Sequence, residues 1–299
     1  MNASVYLLEH TLPATVHVQV TVPESHPSVP VLGTERAGTG TIVDPSGLVL
    51  TVNYVVLGAA GATVTTLDGT EHAAEVVAQD FATGIAVLRI DGGGLPVLPL
   101  REDDALAAGE EVFIVASVGE GGRRTATGAI TAVAPFDANW EYVLEGAIFS
   151  SAMNPGLGGG PLVDARGRMA ALVSLNLNEI GRFALGIPVA CFRDHREELL
   201  RFGRRRSRPA RAWLGLFCYT FRDHVVVAGV LPGAPGEAAG LAQGDVVLGV
   251  DRHRIGSRRE LYERLWRHAP GERVALEVYR KDEVLTIEVP SVDVEEFFG

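Results

Sequence analysis

From Ala14 onward the chain alternates between short apolar runs and clusters of glycine, proline, aspartate and asparagine. Aliphatic and β-branched residues fill Ala14–Val20, Gly40–Val43, Leu48–Val52, Thr63–Leu67, Ala86–Ile90, Glu111–Ala116, Ala129–Val133, Pro161–Val163 and Met169–Leu175. Runs of this length between turn residues read as strands. No long period-3.6 pattern interrupts them before Val189, so strands must bury their apolar faces against strands. Two packed barrels are the expected arrangement.

The pattern then changes. A short charged helix is expected around Cys191–Leu200, followed by Arg201–Arg211, rich in arginine with Gly, Ser and Pro. That composition reads as an exposed linker, or as a basic patch that docks on acidic surface. Beyond it Val225–Leu231, Arg273–Tyr279 and Val284–Val289 read as strands. A helix is expected from Ser257 to Arg267, with Ser257 at the N-cap and Glu260 at capping-box spacing. The terminal Val294–Gly299 is acidic and aromatic, and reads as a disordered end, a strap over the second unit or a docking peptide.

Asn154-Pro155-Gly156-Leu157-Gly158-Gly159-Gly160-Pro161-Leu162 carries the most information. Its glycines do not make a phosphate cradle, because they open onto Pro161 and a strand, not onto a helix N-terminus. The stretch resembles the nucleophile loop of HtrA-type, trypsin-like serine proteases, Asn-Pro-Gly-Asn-Ser-Gly-Gly-Pro-Leu, with Gly158 where the serine stands. Gly38–Gly47 and Leu50–Val56 resemble the strand, turn and Thr-x-Asn-His-Val-Val segment of the same family, with Tyr54 at the histidine. Asp80–Leu88 resembles Asp-x-x-Thr-Asp-Leu-Ala-Val-Leu, with Gly84 at the aspartate. Leu67–Thr70, Thr127–Ile130, the hairpin turn Asp164–Gly167 and Leu185–Pro188 extend the resemblance across the first region.

Acyl transfer by that triad needs a nucleophile, a base and a carboxylate that orients the base. Glycine supplies no nucleophile, and a phenol of unperturbed pKa ~10 is a poor base near neutrality. The positions vacated by the triad are therefore Tyr54, Gly84 and Gly158, and no catalytic residue is assigned. The amides of Gly156 and Gly158 would remain as the remnant of an oxyanion loop. Ser150, Ser151, Thr83 and His72 lie near these positions in sequence, but without a spacing that resembles a triad.

The second unit resembles the PDZ domain that follows HtrA proteases. Pro232–Leu241 resembles Pro-Gly-Ser-Pro-Ala-x-x-Ala-Gly-Leu, and Gly244–Asp251 resembles Gly-Asp-Val-Ile-x-x-Val-Asn. The fold this implies is mainly β, a trypsin-like double β-barrel domain followed by one PDZ domain, a small β-barrel with helices. Expected boundaries are 1–195 for the first domain, 196–211 for the linker, 212–291 for the PDZ domain and 292–299 for the tail. The resemblance also implies a peptide groove. Amides of Leu214, Gly215 and Leu216 would cradle a terminal carboxylate, and an exposed strand edge would accept the peptide as an added strand. Leu261 and Leu265 share one helix face, and helix spacing alone leaves open whether they fill the core or meet the peptide.

Composition narrows the partners. A net charge of −11 over 299 residues argues against nucleic acid. No run approaches the ~20 apolar residues of a membrane span. The eight histidines and two cysteines show no metal-ligand spacing, so neither metal nor cofactor is expected. Cys191 and Cys218 fit either a disulfide or two buried thiols. Met1–His10 has neither the basic region nor the apolar core of a signal peptide, so the cytoplasm is the expected compartment, with an extracytoplasmic location the alternative if a leader has been removed.

The expectation from sequence is thus no enzyme. It is a non-catalytic, HtrA-like binder of extended peptides or protein C-termini, acting as scaffold, holdase or regulatory subunit. The resemblance implies a homo-oligomer, a trimer, or a mixed oligomer with an active paralogue. The alternatives are a purely structural oligomer subunit and a serine endopeptidase with relocated catalytic groups.

Overall fold

The computed structural model describes residues 3–103, 105–178 and 181–299. They divide into two compact units, residues 1–135 with 144–206, and residues 136–143 with 207–299.

Unit 1 opens with helix α1 (Ala3–Ala14) and then closes two six-stranded antiparallel barrels. The first is built from β1 (Thr15–Thr21), β2 (Glu35–Asp44), β3 (Leu48–Val52), β4 (Gly61–Thr65), β5 (Glu71–Asp80) and β6 (Ile85–Ile90), with short helices α2 (Val29–Leu32) and α3 (Asn53–Val56) between strands. The second is built from β7 (Glu111–Gly119), β8 (Gly122–Asp137), β9 (Val143–Ser150), β10 (Pro161–Asp164), β11 (Met169–Leu177) and β12 (Phe183–Pro188). Alternation places Val16, Val18 and Val20 inside the first barrel, with Ile42, Val49 and Leu88 on the same face, all buried. Ile114, Ile148, Leu162, Ala171 and Val173 form the apolar cluster of the second.

The hairpin at Asp164 forms as its residues dictate. The carboxylate of Asp164 accepts the amides of Arg166 and Arg168, both at 2.9 Å, and Gly167 takes φ +79°. Helix α1 was not expected from the sequence. After β12 come α4 (Ala190–Arg193) and α5 (Arg196–Phe202). The second of these corrects the linker. Leu199 is buried, Gly203 caps the helix in the left-handed conformation, and its carbonyl accepts the Gln79 amide at 2.9 Å. Residues 196–206 belong to unit 1.

Unit 2 holds β13 (Ala212–Trp213), β14 (Leu216–Phe221), β15 (His224–Val230), α6 (Pro235–Ala238), β16 (Val246–Val250), β17 (His253–Arg254), α7 (Arg258–Leu265), β18 (Arg273–Arg280), β19 (Glu283–Pro290), β20 (Val292–Asp293) and α8 (Val294–Phe298). Its sheet runs β14-β15-β16-β18-β19, so β14 is an end strand, and β13 pairs with β20. Ser257 caps α7 by accepting the Glu260 amide at 3.2 Å, while the Glu260 carboxylate accepts the Gly256 amide at 2.7 Å. The tail is ordered, against the default of a disordered end: Trp213 packs on Phe297 and Phe298 with centroids 4.8 and 5.5 Å apart. Both cysteines are free thiols, and burial raises Cys191 to about 11 and Cys218 to about 12.

Candidate functional site

The three positions singled out in unit 1 come together. Tyr54 begins the second residue of α3, and the amide of its neighbour Asn53 donates to the Gly84 carbonyl at 2.8 Å. Gly84 closes a turn shaped by Asp80, whose carbonyl accepts its amide at 2.8 Å and whose carboxylate accepts Thr83 Oγ1 at 2.7 Å. At φ +80° this position favours glycine, since a Cβ is strained there. Across the gap, a Cβ built on Gly158 would lie 2.0 Å from Tyr54 Oη and 2.8 Å from the Ser174 carbonyl. The phenol therefore fills the space a side chain at 158 would need. Tyr54 Oη donates to the Ser174 carbonyl at 3.0 Å, and burial pushes it up to about 12, so it is a neutral donor near pH 7.

The loop carrying Gly158 is held on all sides. The Gly158 carbonyl accepts the Thr39 amide at 2.7 Å, Thr39 Oγ1 donates to the Leu157 carbonyl at 2.7 Å, and the Leu157 amide donates to Ser117. Gly156 is required by close approach, because a Cβ there would lie 2.4 Å from the Ser117 carbonyl. Its amide, assigned from sequence to the oxyanion remnant, points instead at Asn154 Oδ1, 3.3 Å away. Ser150 and Ser151 hydrogen bond to Ala129, Thr83 to Asp80, and His72 to the Asp91 carbonyl, and none of these contacts reaches Gly158.

Sequence reading missed two hydroxyl–imidazole pairs. His17 Nδ1 lies 2.9 Å from Ser117 Oγ, and His26 Nδ1 lies 2.7 Å from Ser28 Oγ. Burial, reinforced by the nearby Arg123 charge, lowers the His17 pKa and keeps the ring neutral. Both serines are buried, and no local sequence signal joins His17 to a residue one hundred positions away.

In unit 2 the loop before β14 is a carboxylate cradle. The amides of Leu214 and Leu216 donate to the side-chain carboxylate of Glu141, at 3.0 Å to Oε2 and 2.8 Å to Oε1 respectively. Gly215 adopts φ +82°, and a Cβ there would lie 2.3 Å from that of Ala234, so the turn needs glycine. The side chains of Leu214, Leu216, Leu261 and Leu265 are all buried in one apolar cluster with Val143 and Tyr262. Leu261 and Leu265 therefore fill the core of unit 2, one of the two roles left open by helix spacing.

A trypsin-like peptidase domain model matches residues 38–172, and a PDZ domain model matches residues 196–290. The fold and the site define a trypsin-like peptidase domain joined to a PDZ domain. Proteins of the DegP-like and HtrA type are what the chain is similar to. A probable periplasmic serine endoprotease, DegP-like, of Hahella chejuensis is 28% identical over 85% of this chain and 56% of its own length. Its counterpart in Pseudomonas putida is 29% identical over 87% of this chain and 58% of its own. The chain spans about half the length of the curated relatives it matches. Among solved structures, the HtrA-type protease AlgW with tripeptide has a TM-score of 0.59 at 24% identity, covering 96% of both chains. The serine endoprotease from Yersinia pestis has a TM-score of 0.57 at 22% identity, covering 98% of both. At this identity the structures establish the fold alone.

Two expectations are corrected by these relatives. The chain was expected to be no enzyme, but the relatives are named serine endoproteases, which points toward an enzyme. The cytoplasm was expected, but the relatives are named periplasmic, which points outside the cytoplasm. The first expectation rested on three positions alone; the second rested on the first ten residues, which bear on export only if the chain begins there. No helix among the described residues is long and apolar enough to cross a membrane.

Proposed function

We propose that the chain is an extracytoplasmic, HtrA-type protein whose PDZ groove captures polypeptide segments, above all those that end in a free carboxylate. The observation that carries this reading is the convergence of the Leu214 and Leu216 amides on a carboxylate beside β14, the end strand of its sheet. Main-chain donors at such a turn recognise a charged oxygen pair independently of sequence, and an edge strand adds hydrogen bonds along an extended peptide. Capture of this kind suits a holdase, a scaffold or a regulatory subunit of an oligomer, and it equally suits delivery of substrate for cleavage. Isothermal titration tests it with a decapeptide bearing a free C-terminus and the same peptide amidated. Saturable binding that amidation weakens at least tenfold is expected; equal binding of the two forms removes the carboxylate from recognition.

Endoproteolysis is the second reading, favoured by the names of the relatives. Position 158 offers no side-chain nucleophile, so this reading places the attacking group elsewhere. Turnover of fluorescent casein, followed in Ser117→Ala and Ser28→Ala, tests it directly. A rate that either substitution abolishes assigns the group. Turnover indistinguishable from buffer removes this reading.

A further inference from the structure

The groove already holds a ligand, and that ligand belongs to this chain. Residues 136–143 lie along β14, on the side left open by the sheet, and cluster with unit 2. They run antiparallel to the strand. The Asn139 carbonyl accepts the Cys218 amide at 2.6 Å, Trp140 forms a bridge with Phe217, and Glu141 takes the amides of Leu214 and Leu216. Helix α7 closes the other side. Tyr262 Oη donates to the Ala138 carbonyl at 2.9 Å, and Arg258 donates to the Asp137 carbonyl at 2.9 Å and to its carboxylate at 3.1 Å. Val143 is buried in the apolar cluster with Leu214, Leu216, Leu261 and Leu265.

Strand edge, loop amides and apolar floor are the three features that an incoming chain end would use. All three are taken. We propose that residues 137–143 are a resident ligand of the PDZ groove, the Glu141 side chain standing where a terminal carboxylate would bind, and that an incoming free-carboxylate peptide binds by displacing them. This inference rests on the proposed reading of the groove as a peptide site. It follows that the two ligands exclude each other, because one pair of amides and one strand edge cannot serve both.

The chemistry at Glu141 favours an exchangeable contact over a permanent joint. Its carboxylate is held by main-chain amides, and burying such a group without a cation is a weak source of stability. An apolar residue there would leave the Leu214 and Leu216 amides buried without acceptors, so the site requires an acceptor, and a carboxylate is a costly one to bury. What the carboxylate provides is identity with the group that competes for the cradle.

The consequence for affinity is arithmetic. An incoming peptide binds only the fraction of molecules in which the segment is displaced, so its apparent affinity falls by that fraction. A segment released in about one molecule in a hundred weakens apparent binding about 100-fold.

The test uses the full chain, a fluorescein-labelled decapeptide ending in valine with a free carboxylate, and fluorescence anisotropy. Glu141→Ala is expected to bind this probe at least tenfold more tightly than the unmodified protein, with Glu141→Gln between them. Hydrogen exchange at the Leu214 and Leu216 amides provides the second measurement. Protection is expected in the unmodified protein without peptide, lost in Glu141→Ala, and restored there by the probe. Equal affinity in all three proteins overturns the resident ligand and leaves the groove as a peptide site. Absence of binding in all three, with β18 still protected from exchange, overturns the groove reading itself.

Discussion

The hydroxyl of Tyr54 stands where a side chain on Gly158 would begin, 2.0 Å from the Cβ that such a residue would carry. The two residues are therefore complementary: a large side chain on α3 requires none on the facing loop. Gly158→Ala is expected to destabilise unit 1 by about 1–3 kcal/mol, the range for forcing atoms into a packed site. In a Tyr54→Ala background the same change should be at least about 1 kcal/mol milder, because the obstructing ring is gone. Calorimetric melting of the four proteins measures this coupling. Additive shifts would mean that the loop relaxes away from the phenol.

Glu141 makes docking of its segment depend on pH. Desolvation raises its pKa to about 7, above the usual carboxylate range, opposed by the amides of Leu216, Leu214 and Gly215. Cys218 and Tyr262 face it from β14 and α7, and both have raised pKa values that keep them neutral, so neither reverses the direction. A carboxyl with a raised pKa binds its proton more tightly when docked. Docking is then strongest below the ordinary carboxyl pKa and weakens as pH rises through about 7. The Leu216 amide resonance should titrate with a midpoint near 7 and show no such step in Glu141→Gln. A midpoint in the ordinary carboxylate range would contradict this.

The buried Asp245 of unit 2 pairs with Arg280, which is partly exposed. Arg280 donates to both carboxylate oxygens at 2.6 Å, and the Ala242 amide adds a third bond at 3.0 Å. Burial opposes ionisation of Asp245, yet the arginine and the amide prevail and lower its pKa. Removing one partner leaves a buried charge uncompensated, so Arg280→Ala should destabilise unit 2 by roughly 3 kcal/mol. Stability from the lowered carboxyl is present at neutral pH and is lost on acidification below the usual aspartate range. Urea unfolding at pH 7 and at pH 3 should show the difference between the two proteins shrinking in acid.

Phe297 and Phe298 hold α8 against Trp213, the residue that leads into the cradle loop. Phe297→Ala should lower the stability of unit 2 by about 1–2 kcal/mol, from lost ring contact and apolar burial. Thermal unfolding monitored by tryptophan fluorescence reads both the shift and the changed surroundings of the indole. An unchanged melting temperature would show the tail to be a passive end.

What could be read from the sequence was whatever has a local cause. The Asp164 turn and the Ser257 cap follow from a few neighbouring residues, and the structure forms both. Helix α1 escaped notice because Pro13 breaks its pattern and Ala14 already begins a strand-like run. The tail read as loose because its order depends on Trp213, some eighty positions earlier in the chain. Glu141 was invisible for a similar reason. Between Trp140 and Tyr142 it resembles any polar residue in an aromatic turn, and its partners are amides more than seventy positions away, which carry no side-chain signature at all.

Antiparallel addition of Asn139, Trp140 and Glu141 to β14 is tied into the chain at both ends, which sets the terms on which any outside ligand competes. A tethered rival never diffuses off, and its local abundance is fixed by covalent geometry. Diluting the protein cannot empty the pocket, and concentrating it cannot fill the pocket further. Only the amount of foreign chain ends in the surroundings can tip the balance, so occupancy by outsiders becomes a gauge of how many such ends are exposed.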